Sequence, residues 1–403
     1  MTSSPAAEAR PPDRLPPAVK GLSLVSLFND FASEMVYPLL PAFVTGPLGA
    51  GATVLGALDG AADLASAAVK AVSGRWADRR GWRKPLVLGG YAIAVLIRPV
   101  IALASSGAQV VGFRVLDRVG KGLRTPARDA MIADLTPPPL VGRAFGFHRG
   151  ADHFGAVLGS LTAWALLTHA VDVRQAIAWS WLPGLVVCLV LLAVLRGVRE
   201  HPARAPTEKS PRDATGRVFW VPVLALAALT IARVPEALLL LRLQDLGLPV
   251  ATIPLVWAAL HVVRSAGSYP GGWLSDRLGT RLTVTVGGLL FGAVTYLLGG
   301  ALVAGAAAAV FLFFGLVSGL LEPAERALVA QLAPVRTGRG FGAYHAVTGL
   351  AALPAGIGFG WLYQSWGGGT ALRTSAALVV VTSLAWAVLR APGQPHPPRH
   401  PIR

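Results

Sequence analysis

Cysteine occurs once in the 403 residues, as Cys188 inside the apolar run GLVVCLVLLAV. With no second thiol, a disulfide or a cysteine metal site is excluded, and Cys188 reads as a small packing residue. Charge is scarce as well: Asp, Glu, Lys and Arg make up 14% of the chain against 54% hydrophobic residues, too apolar a balance for an ordinary soluble protein. Acids are the rarer sign, 20 against 36 bases. The resulting +16 would suit a nucleic-acid partner only if it formed one exposed face, but the bases are divided between short connections and apolar segments. No HExxH, GxSxG or Cys/His cluster is found, which argues against a membrane-embedded enzyme. No GxxxxGK(S/T) loop is found either, which argues against direct use of ATP. The first twenty residues lack the short apolar core and cleavage site of a secretory signal.

What the chain does have is long apolar stretches. A span needs about 20 mostly apolar residues, and twelve segments qualify, near 22–45, 52–73, 86–105, 108–133, 144–168, 175–196, 219–241, 251–271, 282–301, 305–330, 340–364 and 371–390. An even number puts both tails on one side. Lys and Arg crowd into the tails and the even-numbered loops, whereas the odd loops hold only Arg174, Arg242 and Arg373. The positive-inside rule then predicts a multi-pass protein of the inner or plasma membrane with both termini cytoplasmic.

The halves repeat. GRWADRRGWRK at 74–84 returns as GWLSDRLGTRL at 272–282, TPARDAMIAD at 125–134 aligns with EPAERALVAQ at 322–331, and GRAFGFH at 142–148 matches GRGFGAYH at 338–345. The expected organisation is a disordered tail (1–20), an N-terminal six-helix bundle (21–196), a cytoplasmic linker (197–217), a C-terminal six-helix bundle (218–390) and a second disordered tail (391–403). Parallel repeats of this kind place a substrate site near the midplane between them.

In these motifs the chain resembles the major facilitator superfamily over residues 20–390. The family's loop motif GxxxD(R/K)xGxx(R/K) is met in full by Gly74, Asp78, Arg79, Gly81 and Lys84, and its second copy by Gly272, Asp276, Arg277 and Gly279, with Leu282 departing at the last position. The resemblance implies an all-α membrane protein of twelve transmembrane helices in two pseudo-symmetric bundles, with these loops gating the cytoplasmic face. On the fourth segment Arg114, Gly120 and Gly122 follow another family motif, with Arg118 where glycine is usual. On the fifth, Gly146, Gly155 and Gly159 follow the exporter-associated spacing, although Ser160 replaces its proline. A small-residue packing stripe would read the same way.

Charges inside apolar segments are costly and face a polar interior. They fall on segments 1 (Asp30, Glu34), 2 (Asp59, Asp63, Lys70), 4, 5 (Arg149, Asp152, His153), 7 (Arg233, Glu236), 8 (His261, Arg264), 10 (Glu322, Glu325, Arg326) and 11 (His345). Segments 6, 9 and 12 have none and segment 3 only Arg98, so these four are expected to be outer supports. The fourth is the richest: RVLDRVGKGLRTPARDA, 114–130, places Arg114, Asp117, Arg118, Lys121, Arg124, Arg128 and Asp129 within an arc of roughly 140°. A structural ion-pair network with Asp30, Glu34, Asp59 and Asp63 is one reading of it; a wet cavity is the other, favoured because desolvation makes buried pairs a poor source of stability.

The expected function is secondary active transport by alternating access, driven by a proton gradient and without a bound cofactor or metal, in a monomer that meets only lipid and a small-molecule substrate. Proton-coupled efflux of an anionic organic solute or drug would use Arg118, Lys121 and Arg124, helped by Arg114, Asp117, Glu34, Arg98, Arg233, Glu236, His261, Arg264 and Glu322. Asp30, Glu34, Asp59, Asp63 and Asp152 are the candidate proton carriers. A multidrug exporter for lipophilic cations held by the acids is the alternative, as is a non-transporting scaffold or receptor of the same fold. Pro38 and Pro41 are expected to break the first helix and supply a bend.

Overall fold

A computed structural model describes residues 14–77, 79, 81–137, 141–198, 216–332 and 337–388. The described residues form helices and connecting turns and contain no strand. The first segment is α1 (Pro17–Val36), a 3-10 turn (Tyr37–Leu39) and α2 (Leu40–Thr45), so the chain breaks where Pro38 and Pro41 were expected to break it. Next come α3 (Ala52–Ala77), α4 (Arg83–Val100), α5 (Gly107–Leu135) and α6 (Val141–Thr168). The sixth segment is α7 (Val173–Ala178) with α8 (Trp181–Gly197), and the seventh is α9 (Arg217–Ala232) with α10 (Glu236–Asp245). Then follow α11 (Ile253–Leu278), α12 (Thr280–Leu298), α13 (Ala304–Leu332) and α14 (Thr337–Val388). A break at Gly367, whose φ is 83°, separates the last two expected segments within α14.

Every expected segment is therefore helical. Eight stretches among the described residues are long and apolar enough to cross a membrane, counting 343–388 as one. The helices from 17, 107 and 141 are not among the eight; they carry polar faces that only a protein interior or water can satisfy. Most of the linker expected at 197–217 lies outside the described residues, as do the tail segments 1–13 and 389–403.

Packing follows from small residues. Within the first half α1 lies along α6, and α5 between α3 and α4. A Cβ on Gly155 would fall 2.1 Å from the Leu27 carbonyl oxygen and one on Gly159 2.2 Å from that of Phe31, so these glycines let two backbones touch. Gly90 and Gly120 do the same where α4 crosses α5. In the second half α11 packs on α13, and α12 on α13 and α14.

The halves meet through α3 with α14 and α6 with α11. A Cβ on Gly56 would lie 1.8 Å from the Gly356 carbonyl oxygen, and one on Gly60 2.6 Å from that of Ala352. Gln364 accepts from the Thr53 hydroxyl at 2.7 Å. These contacts reach up to the 46–51 connection, the end of the bundle opposite the chain termini. Gly56→Ala is accordingly expected to push the halves apart there. Spin-label distances across that end should lengthen; an unchanged distribution would show that the helices slide to absorb the methyl group.

Candidate functional site

Between the halves lies a cavity of about 530 Å³, inside the ~300–1,000 Å³ range of small-molecule sites. Its ionisable wall is Glu34 from α1, Asp59 and Asp63 from α3, Arg118 and Lys121 from α5, Arg233 after α9, Glu236 from α10, His261 and Arg264 from α11, and Glu322 and Glu325 from α13. Tyr37, Trp257, Phe291, Phe314 and Leu321 supply the apolar part.

Most of these charges are engaged. Arg233 donates to Glu325 at 2.7 Å, and the Tyr344 hydroxyl donates to the same carboxylate at 3.2 Å. Arg264 donates to Glu236 at 2.6 Å, and Arg326 pairs with Glu322. Glu34 crosses to the other half, accepting from Trp257 Nε1 at 2.8 Å with His261 Nε2 at 3.6 Å. Asp59 crosses too: its carboxylate accepts from the Tyr37 hydroxyl at 2.9 Å and from the backbone N–H of Ala237 at 3.1 Å. Helix α10 starts after Pro235 without a side-chain cap of its own. An acid from the other half thus satisfies one of its free N–H groups at the positive end of the helix dipole.

Arg118, Lys121 and Asp63 differ. Among the described residues their side chains make no hydrogen bond or ion pair, and all three line the cavity. Two cations held in no direct ion pair, on a cavity that also has an aromatic wall, can receive a group that brings negative charge and apolar surface together.

The rest of the α5 stripe is not where the sequence put it. Arg98, Arg114 and Asp117 were expected in the substrate site but are wholly buried within the first half. Asp117 joins Arg98 at 3.0 Å and Arg114 at 3.3 Å, and Arg98 also donates to the Asn29 carbonyl at 2.6 Å and its side-chain oxygen at 3.0 Å. Arg114 stacks over Tyr37, 4.9 Å from its ring centre. Arg124 is likewise buried, 4.7 Å over the Tyr91 ring with a 3.3 Å bond to the Gly90 carbonyl. The reason is the width of the arc: α5 is clasped by α3 and α4, so one flank (Arg118, Lys121) meets the cavity while the other (Asp117, Arg124) meets protein. The expected network with Asp30, Glu34, Asp59 and Asp63 does not form among the described residues: on the buried flank Asp117 of α5 itself pairs with Arg98 and Arg114.

Two helices depart from the expected division. Among the described residues helix α6 supplies none to this cavity: Asp152 is buried near Arg149 and His148, each 3.7 Å away. Helix α12, expected to be purely an outer support, contributes Phe291. Asp30 is off the wall as well; it accepts from Asn29 Nδ2 at 2.9 Å, and its charged neighbours are Asp152, Lys121, Glu34 and Arg124. Tyr37, Trp257 and Phe314 were not singled out from the sequence. Spacing could have found two of them, since Tyr37 follows Glu34 by three residues and Trp257 precedes His261 by four.

At the duplicated loop, Asp78 lies outside the described residues, as does the side chain of Asp276. Gly81 and Gly279 hold φ of 81° and 84°, which only glycine adopts without strain, so both copies keep their turn for a backbone reason. A Cβ on Gly74 would lie 4.0 Å from Pro126, ordinary contact, and Arg79 is exposed. Arg83, beside Lys84, pairs with Asp134 of α5 and donates to the Ala77 carbonyl at 2.9 Å. Arg277 stacks on Trp273, 4.3 Å from its centre.

The family pattern of the Major Facilitator Superfamily matches residues 22–243 and 234–403. The chain belongs to this superfamily. It is similar to an MFS-type transporter of Methanocaldococcus jannaschii, 29% identical over 362 residues that cover 85% of this chain and 87% of that one. It is also similar to the multidrug resistance protein MdtH of Edwardsiella ictaluri, 26% identical over 338 residues, covering 82% of each. Among solved structures it superimposes on the nucleoside transporter NupG with a TM-score of 0.77 at 11% identity, covering 92% of this chain and 98% of that one. A bacterial homologue of the lysosomal transporter Spinster, inward-facing and unoccupied, gives 0.68 at 17%, with 92% and 94% covered. As a superfamily member the protein is a multi-pass membrane transporter of small molecules and not an enzyme.

Proposed function

We propose that the protein moves a small amphipathic organic anion across the membrane by alternating access, coupled to protons. The observation that carries this reading is the pair Arg118 and Lys121, which face the cavity and, among the described residues, are held in no ion pair, while Arg233 and Arg264 are each paired with a carboxylate. The anionic head sits between Arg118 and Lys121, and its apolar body rests on Trp257, Phe291 and Phe314. Asp63, unpartnered on the same wall, is the proton carrier: an ionised carboxylate there repels the cargo, and a protonated one admits it. Both termini are read as cytoplasmic, and the conformation as open toward them, because the contacts between the halves extend to the opposite end. Alternating access then requires the links of Glu34 to Trp257 and of Asp59 to α10 to part and re-form.

Uptake into proteoliposomes under an imposed pH gradient tests the coupling. Transport of an aromatic carboxylate should follow the gradient, and Asp63→Asn should abolish that dependence while leaving exchange of the anion across the membrane intact. Gradient-driven transport that survives Asp63→Asn would remove Asp63 from the role.

A second reading has its own support: the cavity wall holds Glu34, Asp59 and Asp63, none of them in an ion pair with Lys or Arg among the described residues, and relatives of the chain include multidrug resistance proteins and a multidrug efflux pump. A lipophilic cation would use these acids. Competition between aromatic carboxylates and quaternary ammonium compounds for one site separates the two.

A further inference from the structure

The open space does not end at Asp63. A second cavity of about 220 Å³ adjoins the central one, sharing Asp63, Thr230 and Ala352 with it and adding Ser66, Lys70, His345 and Thr348. Lys70 lies seven residues beyond Asp63 on the same face of α3, ~10 Å further toward the duplicated loop. The side cavity is thus stacked below the central one, on the side of the chain termini.

Its chemistry is that of an anion site. Among the described residues the Lys70 ammonium makes no hydrogen bond or ion pair. Thr230 and Thr348 already donate their hydroxyl protons to the carbonyls of Leu226 and Tyr344, at 3.0 and 2.8 Å. The Ser66 hydroxyl, one turn before Lys70, donates to no group among the described residues. Lys70 has Arg118 and Arg326 as cationic neighbours and Asp63 and Asp129 as acidic ones; Lys121 in turn has Lys70 and Arg118 near it. Lys70 in the side cavity is thus an electrostatic neighbour of Arg118 and Lys121 in the central one.

We propose that the side cavity is a second anion subsite, in which Lys70 and Ser66 receive the carboxylate or sulfonate head of the cargo before Arg118 and Lys121 do. This rests on the anionic reading of the central site. One ammonium and one hydroxyl hold an anion more weakly than the two cations above, so the subsite is a stage on the way and not the resting place. A cargo of suitable length bridges both levels.

Iodide is a suitable probe because its anomalous scattering locates it. Crystals of the full chain soaked in sodium iodide should show one peak beside Arg118 and Lys121 and another beside Lys70. Lys70→Gln should remove the second and keep the first, and Lys70→Arg should keep both. Iodide at the central site with none in the side cavity, or a side-cavity peak that survives Lys70→Gln, overturns the proposal and leaves the central reading standing. Absence of iodide beside Arg118 and Lys121 in the unmodified chain overturns both.

Discussion

Arg118→Ala is expected to weaken binding of an anionic cargo by about ten- to a hundredfold while leaving the fold intact. A hydrogen bond to a charged group contributes about 1.5–3 kcal/mol, and ~1.4 kcal/mol is tenfold in affinity. Because Arg118 makes no hydrogen bond or ion pair among the described residues, and Asp117 keeps its direct pairs with Arg98 and Arg114, its removal should cost little stability. Lys121→Ala should act in the same direction, and the double variant should bind the anion hardly at all. Titration calorimetry with the purified protein reads both. Undiminished anion binding in Arg118→Ala would refute the anionic assignment, and a quaternary ammonium compound lost in its place would establish the cationic one.

Asp117→Ala is expected to have the largest effect on stability, about 3–5 kcal/mol, because it leaves two buried guanidiniums, Arg98 and Arg114, facing each other without a counter-ion. The melting temperature in detergent should fall steeply, or the protein should fail to accumulate. A replacement that removes the whole network, Asp117→Leu with Arg98→Leu and Arg114→Met, should recover most of the loss, since an apolar substitute for a buried ion network is close to neutral. The contrast with Arg118→Ala is the point: two positions one residue apart on α5 should differ in kind, one failing in affinity and the other in folding.

That contrast marks the limit of what the sequence disclosed. Helix positions, the break at Pro38 and Pro41, and the relation between the halves follow from apolar run length, proline chemistry and repeated motifs, which are local or periodic properties. Glu34, Asp59, Asp63, Arg118, Lys121, Arg233, Glu236, His261, Arg264 and Glu322 were all named from the cost of intramembrane charge, and the structure brings them to one cavity. The same rule brought in Arg98, Arg114, Asp117 and Arg124, because it recognises that a charge must be satisfied and does not say by what. Water and a neighbouring helix satisfy it equally. Which flank of α5 faces which depends on α4 pressing its Gly90 against Gly120, a tertiary fact. Asp152 failed as a cavity residue for a related reason: Gly155 and Gly159 bind α6 tightly to α1, so the exporter-associated glycines that drew attention to this helix serve its packing. Phe291 was missed because an apolar residue on an apolar helix carries no sign of facing a cavity.

The central claim is that the unpaired cations border water and set the sign of the space around them. It is tested most directly by thiol labelling at Thr230, which lines both cavities, in a Cys188→Ala background. Thr230→Cys should react with a membrane-impermeant sulfonate methanethiosulfonate faster than with its trimethylammonium analogue, each rate being normalised to that of a free thiol, and Arg118→Ala with Lys70→Gln should erase the preference. No reaction with either reagent, or a preference for the cationic one, would contradict the account.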